Sequence, residues 1–312
     1  MILTPMNVLT SNPDAAAPRP AFLTDDGAAI LRFAADAADA GKGAALVTLV
    51  EIRGGAARAL GAQMAVTGDG LYCGFVSGGC TETAVAAEAA KAILSGNDRF
   101  LKLGEGSRFF DIVLPCGGGI TLAIHVLRDA LALREILTSL ERRVPIGLRY
   151  DPARQSLDCI PHLTATGWTD GLFGRAYRPR ARVLLFGRSI ELEATAGLAR
   201  AAAYDVHADE AGDPDLIRKL ADGDCAIVLL YHDLDREAPL LEAALAARPF
   251  YIGALGSQRT HDRRRLALLQ RGHDDREIAR IKAPIGLFPK ARDAHSLALS
   301  IVADIAATRG PQ

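Results

Sequence analysis

Between Arg182 and Gln270 short apolar runs and helical periods take turns without a break. The pattern predicts strand Val183 to Phe186, helix Glu191 to Ala203, strand Tyr204 to Ala208, helix Pro214 to Ala221, strand Cys225 to Leu230, helix Glu237 to Ala247, strand Phe250 to Leu255 and helix Thr260 to Gln270. Strands separated by helices do not close as hairpins. They pair in parallel, and the expected product is a Rossmann-like, doubly wound α/β sheet. In that topology the fourth strand is expected beside the first, so that the loops Gly187 to Ile190 and Gly256 to His261 face each other across the switch-point crevice.

Upstream the pattern is that of a small α/β domain. Thr24 is placed to N-cap a helix carrying Ile30, Leu31 and Phe33, and Gly41 ends it before the apolar strand Ala44 to Ile52. Strands Gln63 to Thr67 and Leu71 to Val76 flank a Gly68-Asp69-Gly70 turn, and helix Glu82 to Leu94 stops at Ser95-Gly96. At 312 residues the chain has room for two cores. The expected division is a loose leader over 1–23, an N-terminal domain over 24–166, a linker over 167–180 where glycines, Trp168 and Pro179 gather, and the Rossmann-like domain over 181–312.

Lys and Arg number 36 against 37 Asp and Glu, a formal charge of −1, so no global field favours nucleic acid or an anionic membrane. No run approaches the roughly 18 apolar residues that span a bilayer, and no secretion signal stands at the start, so a soluble, cytoplasmic chain is expected. Its five cysteines are odd in number, widely spread and expected to be reduced. Cys73, Cys159 and Cys225 lie in strand-like stretches, where cysteine serves as a small buried hydrophobe.

The other two sit in glycine loops. Cys80 belongs to Ser77-Gly78-Gly79-Cys80-Thr81-Glu82, where a strand turns into a helix, and the unpaired N–H groups of that helix start would stabilise a thiolate or an anion. Cys116 belongs to Leu114-Pro115-Cys116-Gly117-Gly118-Gly119. Two such loops without a CxxC point to a soft, sulfur-bearing or phosphate-bearing ligand rather than to structural zinc. Arg53 and Arg58 flank a third glycine loop as anion candidates. In the Rossmann-like part the dinucleotide fingerprint is broken: after Gly187 its other glycine positions hold Ser189 and Leu192, although an acid, Asp209, follows at the right distance. NAD(P) is therefore disfavoured. Gly256, Ser257, Arg259 and His261, with Arg263, Arg264 and Arg265 behind them, are better suited to a phosphate. His232 and Asp233 are placed on the same rim.

Taken in order, Gly61 to Thr67, Val76 to Cys80, Leu114 to Gly118, Tyr231 to Asp233, Tyr251 to Ser257 with Arg259 to His261, and Ala283 to Leu287 resemble one family, the XdhC/CoxI group of molybdenum cofactor chaperones. The resemblance implies a protein that binds the molybdopterin form of the cofactor as cargo. It would hold the cargo while a cysteine desulfurase exchanges an oxo for a sulfido ligand, and pass it to the molybdenum-binding subunit of xanthine dehydrogenase or a related hydroxylase. It also implies a homodimer and no enzymatic activity of the chain's own. Cys80 and Cys116 would then be molybdenum contacts, with Ser77, Gly78, Gly79, Gly117, Gly118 and Arg58 around the cofactor and Gly256, Ser257, Arg259 and His261 available to its phosphate. The chain departs from the family in its thin fingerprint at Gly187 to Glu191 and in the alanines around Arg58. The alternatives are an NAD(P)-dependent oxidoreductase and a sulfurtransferase carrying a persulfide on Cys80.

Overall fold

The computed structural model describes residues 17–79, 81–104, 117–288 and 291–310. The chain divides into two compact units, Met1–Arg178 and Pro179–Gln312.

The first unit runs β1 (Arg19–Pro20), α1 (Gly27–Asp39), β2 (Ala44–Arg53), β3 (Gln63–Thr67), β4 (Leu71–Gly74), α2 (Glu82–Ser95), β5 (Arg99–Gly104), β6 (Gly119–Val126), α3 (Leu131–Glu141), β7 (Ile146–Asp151), β8 (Ser156–Pro161), β9 (Gly167–Thr169) and β10 (Leu172–Tyr177). Its six-stranded sheet has the order β1-β4-β3-β2-β6-β5. Strand β2 reads as almost continuously apolar because it is covered twice. Ala45, Val47 and Leu49 meet Val85, Ala86 and Ala89 of α2, while Ala44 and Leu46 meet Leu31 and Ala34 of α1 and Leu133 and Ile136 of α3. The small side chains of α2 let it lie close to the sheet, and Gly96, at φ 67°, ends it as the Ser95-Gly96 stop implied.

Three expectations for this unit are corrected. Asp26, not Thr24, caps α1: its side chain accepts from Ala28 N at 2.9 Å, while Thr24 Oγ1 accepts from Asp26 N. The end of the leader is stitched to the sheet, Arg19 N donating to Gly70 O and Ala21 N to Tyr72 O. The stretch 167–180 is no linker, for β9 and β10 belong to a four-stranded sheet of order β8-β7-β10-β9. Asp170 and Gly171, both at positive φ, make a hairpin turn of what reads in sequence as a break. Trp168 packs edge-on against Phe173 at 5.3 Å and donates from Nε1 to Val50 O at 2.8 Å. Val50 is the extra residue of a bulge in β2, where the register against β6 shifts between Leu49 and Glu51.

The second unit runs β11 (Arg182–Gly187), α4 (Ile190–Ala201), β12 (Asp205–Asp209), α5 (Pro214–Leu220), β13 (Cys225–Leu230), α6 (Leu234–Ala247), β14 (Tyr251–Ala254), α7 (Gln258–Gln270), α8 (Asp275–Ile278), β15 (Ile281–Lys282) and α9 (Ala294–Arg309). All its strand pairs are parallel. Helices α4 and α9 contribute Leu192, Ala196, Ile301 and Ile305 to one face, and α5, α6 and α7 contribute Ile217, Leu241 and Leu268 to the other. This is the doubly wound sheet that the alternation implies.

Its strand order is β12-β11-β13-β14-β15, so the third strand of the unit, not the fourth, lies beside the first. Alternation dictates parallel pairing but not which neighbour each strand takes. The switch point therefore lies between β11 and β13, and the loop facing Gly187 to Ser189 across it is Tyr231 to Asp233. The Gly256 loop stands beyond it, after β14. Among the described residues no helix is long and apolar enough to cross a membrane.

Candidate functional site

The C-terminal ends of β2 and β4 and the starts of β3 and β6 form one rim of the six-stranded sheet, because these strands are antiparallel neighbours. The loops leaving that rim carry the candidate residues. After β2 the chain runs through Gly54 and Gly55 so close to the start of β6 that a Cβ on Gly118 would stand 2.2 Å from Gly55 O and 2.5 Å from Arg53 O. Only glycine fits there. On the other side, Gly78 and Gly79 turn at φ 92° and 108°, and a Cβ on Gly78 would stand 3.1 Å from Ala57 Cβ. The loops of Gly54 to Ala57, Gly78 and Gly118 are thereby gathered in one place. Cys80 and Cys116 lie outside the described residues; in the sequence each is two positions from a glycine of this gathering, Gly78 and Gly118.

Arg58 belongs to the same rim but is not an isolated cation. Its guanidinium lies 5.3 Å from the centre of the Phe75 ring and 3.6 Å from Asp25 Oδ2. Arg53 is engaged as well, donating to Glu51 Oε2 at 2.6 Å and Thr121 Oγ1 at 2.8 Å.

The residue that sequence reasoning missed here is Glu82. Its side chain folds back from the first turn of α2 and accepts from Val76 N, Ser77 N, Ser77 Oγ and Thr81 N at 3.1, 2.9, 2.8 and 3.2 Å. Burial pushes its carboxyl up, but the hydrogen bonds from Ser77 and the turn's backbone outweigh that and hold it below the usual carboxylate range. The helix start that was expected to welcome an external anion is already filled by an internal one. Ser77 and Glu82 are five positions apart, not the three of a capping box, so no familiar motif announces the contact. Thr81, buried beside them, keeps an Oγ1 that makes no hydrogen bond among the described residues.

Cys73, Cys159 and Cys225 sit in packed surroundings, as their strand-like contexts imply. Burial pushes the thiols of Cys73 and Cys159 up to about 12, which keeps both protonated and unreactive at neutral pH. Among the described residues no group of three His, Cys, Asp or Glu is placed to hold a metal ion.

In the second unit the structure sorts the polar residues by task. Asp209 does not wait for a ribose: Oδ1 accepts from Ala211 N at 3.1 Å and Oδ2 from Gly212 N and Asp213 N, both at 2.8 Å. The first turn of α4 holds Glu191 and Glu193, which oppose a pyrophosphate at that helix start. Asp233 caps α6 through Asp235 N, and His232 is exposed. The α7 start differs, since its first turn contains no acid. Gly256, at φ 128°, leads into Ser257, whose Oγ accepts from Thr260 N at 3.3 Å. Arg259 is exposed at this end, and burial and the Arg264 charge hold the His261 imidazole below its usual range, hence neutral at pH 7.

Arg264 and Arg265 are engaged within the protein. Arg264 is buried against Glu237, with Nε to Oε2 at 2.8 Å and Nη2 to Oε1 at 3.0 Å, and donates to Leu255 O at 2.8 Å. Arg265 pairs with Asp275. Arg265, though paired, is exposed like Arg259 and Arg263.

Residues 183–305 match the XdhC Rossmann domain and residues 37–104 match the XdhC and CoxI family. An Escherichia coli (strain K12) protein described as molybdenum cofactor insertion chaperone PaoD is 56% identical over 292 residues, covering 94% of this chain and 92% of its own. A solved Bacillus halodurans protein described as a xanthine dehydrogenase superposes with a TM-score of 0.67 at 20% identity, over 89% of this chain and 95% of that one, a likeness of fold.

Proposed function

The chain belongs to the XdhC and CoxI family, and from that premise we propose that it is an accessory protein that binds the molybdenum cofactor and delivers it to a molybdenum enzyme, without catalysing a reaction itself. The observation that carries the reading is the gathering of three glycine-bearing loops at one rim, two of which lead directly into Cys80 and out of Cys116. Soft thiols suit molybdenum and its dithiolene, and backbone bared by glycine suits the hydrogen-bonding edge of a pterin. In the second unit, Gly256, Ser257, Arg259 and His261 offer a phosphate the acid-free helix start and a guanidinium. The naming of the Escherichia coli relative supports the cargo.

The finer reading is molybdopterin-type cargo, held while a cysteine desulfurase supplies its sulfido ligand and then passed to xanthine dehydrogenase or a related hydroxylase by a cytoplasmic homodimer. Dinucleotide binding is opposed by the saturated Asp209 and by the acids at the start of α4. Anaerobic titration with molybdopterin cofactor, ultrafiltration and assay of retained molybdenum and pterin test the proposal, with NADH in parallel. Stoichiometric retention that falls in Cys80→Ala supports it. Absence of retention beside saturable NADH binding refutes it, and sulfur transfer from a labelled donor that depends on Cys80 would replace it by the transferase.

A further inference from the structure

The turn from Ser77 to Glu82 contains its own anion, and both oxygens of that anion are in use. Glu82 Oε1 takes the N–H groups of Val76 and Ser77, and Oε2 takes Thr81 N and the Ser77 hydroxyl. Ser77 Oγ in turn accepts from Thr81 N at 3.2 Å, so one hydroxyl ties both sides of the turn. The glutamate is 3% exposed. Backbone N–H groups converging on one point form a nest for an oxyanion such as phosphate. Here the nest is occupied by a side chain six residues after the first of its donors, and a phosphate brought to it would meet a buried negative charge at contact distance.

We propose that Glu82 is the positioning residue of this turn. Its carboxylate takes the place of an external oxyanion, ties Ser77 to Thr81, described residues on either side of Cys80 in the sequence, and reserves the turn for the end of the cargo that does not carry the phosphate. The part concerning the cargo rests on the chaperone reading above; the occupation of the nest does not. Thr81 Oγ1 agrees with the assignment, because the polar side-chain atom of the turn left without a partner among the described residues is a neutral hydroxyl.

Removing the carboxylate tests the idea by rescue. In Glu82→Ala the nest is empty and its donors are intact, so acetate, a carboxylate small enough to enter, should raise the melting temperature of the full-length variant at constant ionic strength. It should leave the wild type unchanged. Glu82→Gln fills the nest with an amide whose N–H groups oppose the donors, and acetate should do nothing for it. Molybdenum retention should fall about tenfold or more in both variants, the usual scale for a group that orients a ligand's contacts, and acetate should restore it in Glu82→Ala alone. Equal responses of wild type and Glu82→Ala to acetate, or a Glu82→Gln chain that retains cargo like the wild type, would overturn the proposal. So would failure of both variants to fold, which would make Glu82 a core residue and no more. A wild type that retains no cofactor would refute the chaperone reading, while the acetate response, which needs no cargo, would still decide the role of Glu82.

Discussion

Taking Glu237 to Gln should destabilise the second unit far more than the loss of one surface ion pair. The side chains of Arg264 and Glu237 are 2% and 1% exposed, and the guanidinium spends its donors on both carboxylate oxygens and on Leu255 O. Gln keeps the volume but leaves a buried cation without its charge partner, an error that costs about 3–5 kcal/mol. With a urea slope of about 2 kcal/mol per molar, the midpoint falls by roughly 2 M. The pair itself adds little net stability. Burial pushes the Glu237 carboxyl up, and the hydrogen bonds and charge of Arg264 draw it back only in part. Removing both charges in Glu237→Leu/Arg264→Met should therefore return the unit to within about 1 kcal/mol of the wild type. Unfolding of the full chain followed by far-UV circular dichroism reports on both units. Fluorescence of Trp168, the single tryptophan, reports on the first. A single-variant shift below roughly 0.5 M, or a double variant as unstable as the single one, would refute the reasoning.

Thr81→Val removes a buried hydroxyl that has no partner among the described residues, so the free protein should gain about 1 kcal/mol, read as a higher melting temperature. Asp98 accepts from His125 Nδ1 at 2.7 Å, Val126 N at 2.9 Å and Tyr150 Oη at 3.0 Å; burial raises its carboxyl, and these bonds together bring it below its ordinary 3.8. Its contribution is thus fully present above that value and lost as pH falls through the lower folded one. Asp98→Asn should cost about 3 kcal/mol at neutral pH, and the gap to wild type should narrow in melts run toward pH 2. Ser257→Ala removes the cap of α7 and should cost about 1 kcal/mol, measurable by the same urea melts.

The period of the hydrophobic pattern carried most of the fold. Val183 to Phe186 and Cys225 to Leu230 read as buried parallel strands and are so, because a strand covered on both faces has no polar side to show. Which strands become neighbours depends on helix packing over long sequence distances, and so β13 took the place expected of β14. The glycine loops were legible because Gly78, Gly79 and Gly118 answer local backbone demands. Glu82 was not, since an acid in the first turn of a helix is commonplace and only the fold shows it turning inward. Arg264 stands in a row of arginines and is set apart only by its place on the helix, which a run of like residues conceals.

The bulge at Val50 has a bearing on how this chain tolerates change. Deleting Val50 would leave the ladder's partners as they are, Leu49 opposite Leu122 and Glu51 opposite Thr121. It would remove the carbonyl that Trp168 grips and the side chain that packs with Ala123, Tyr150 and Phe173. The six-stranded sheet has no use for the residue, and the fastening of the second sheet onto it does. A loss there would loosen the two sheets at that point while Ile146, Leu148 and Tyr177 still packed on the six-stranded one, whereas a deletion at Val47 would turn every later side chain of β2 to the wrong face.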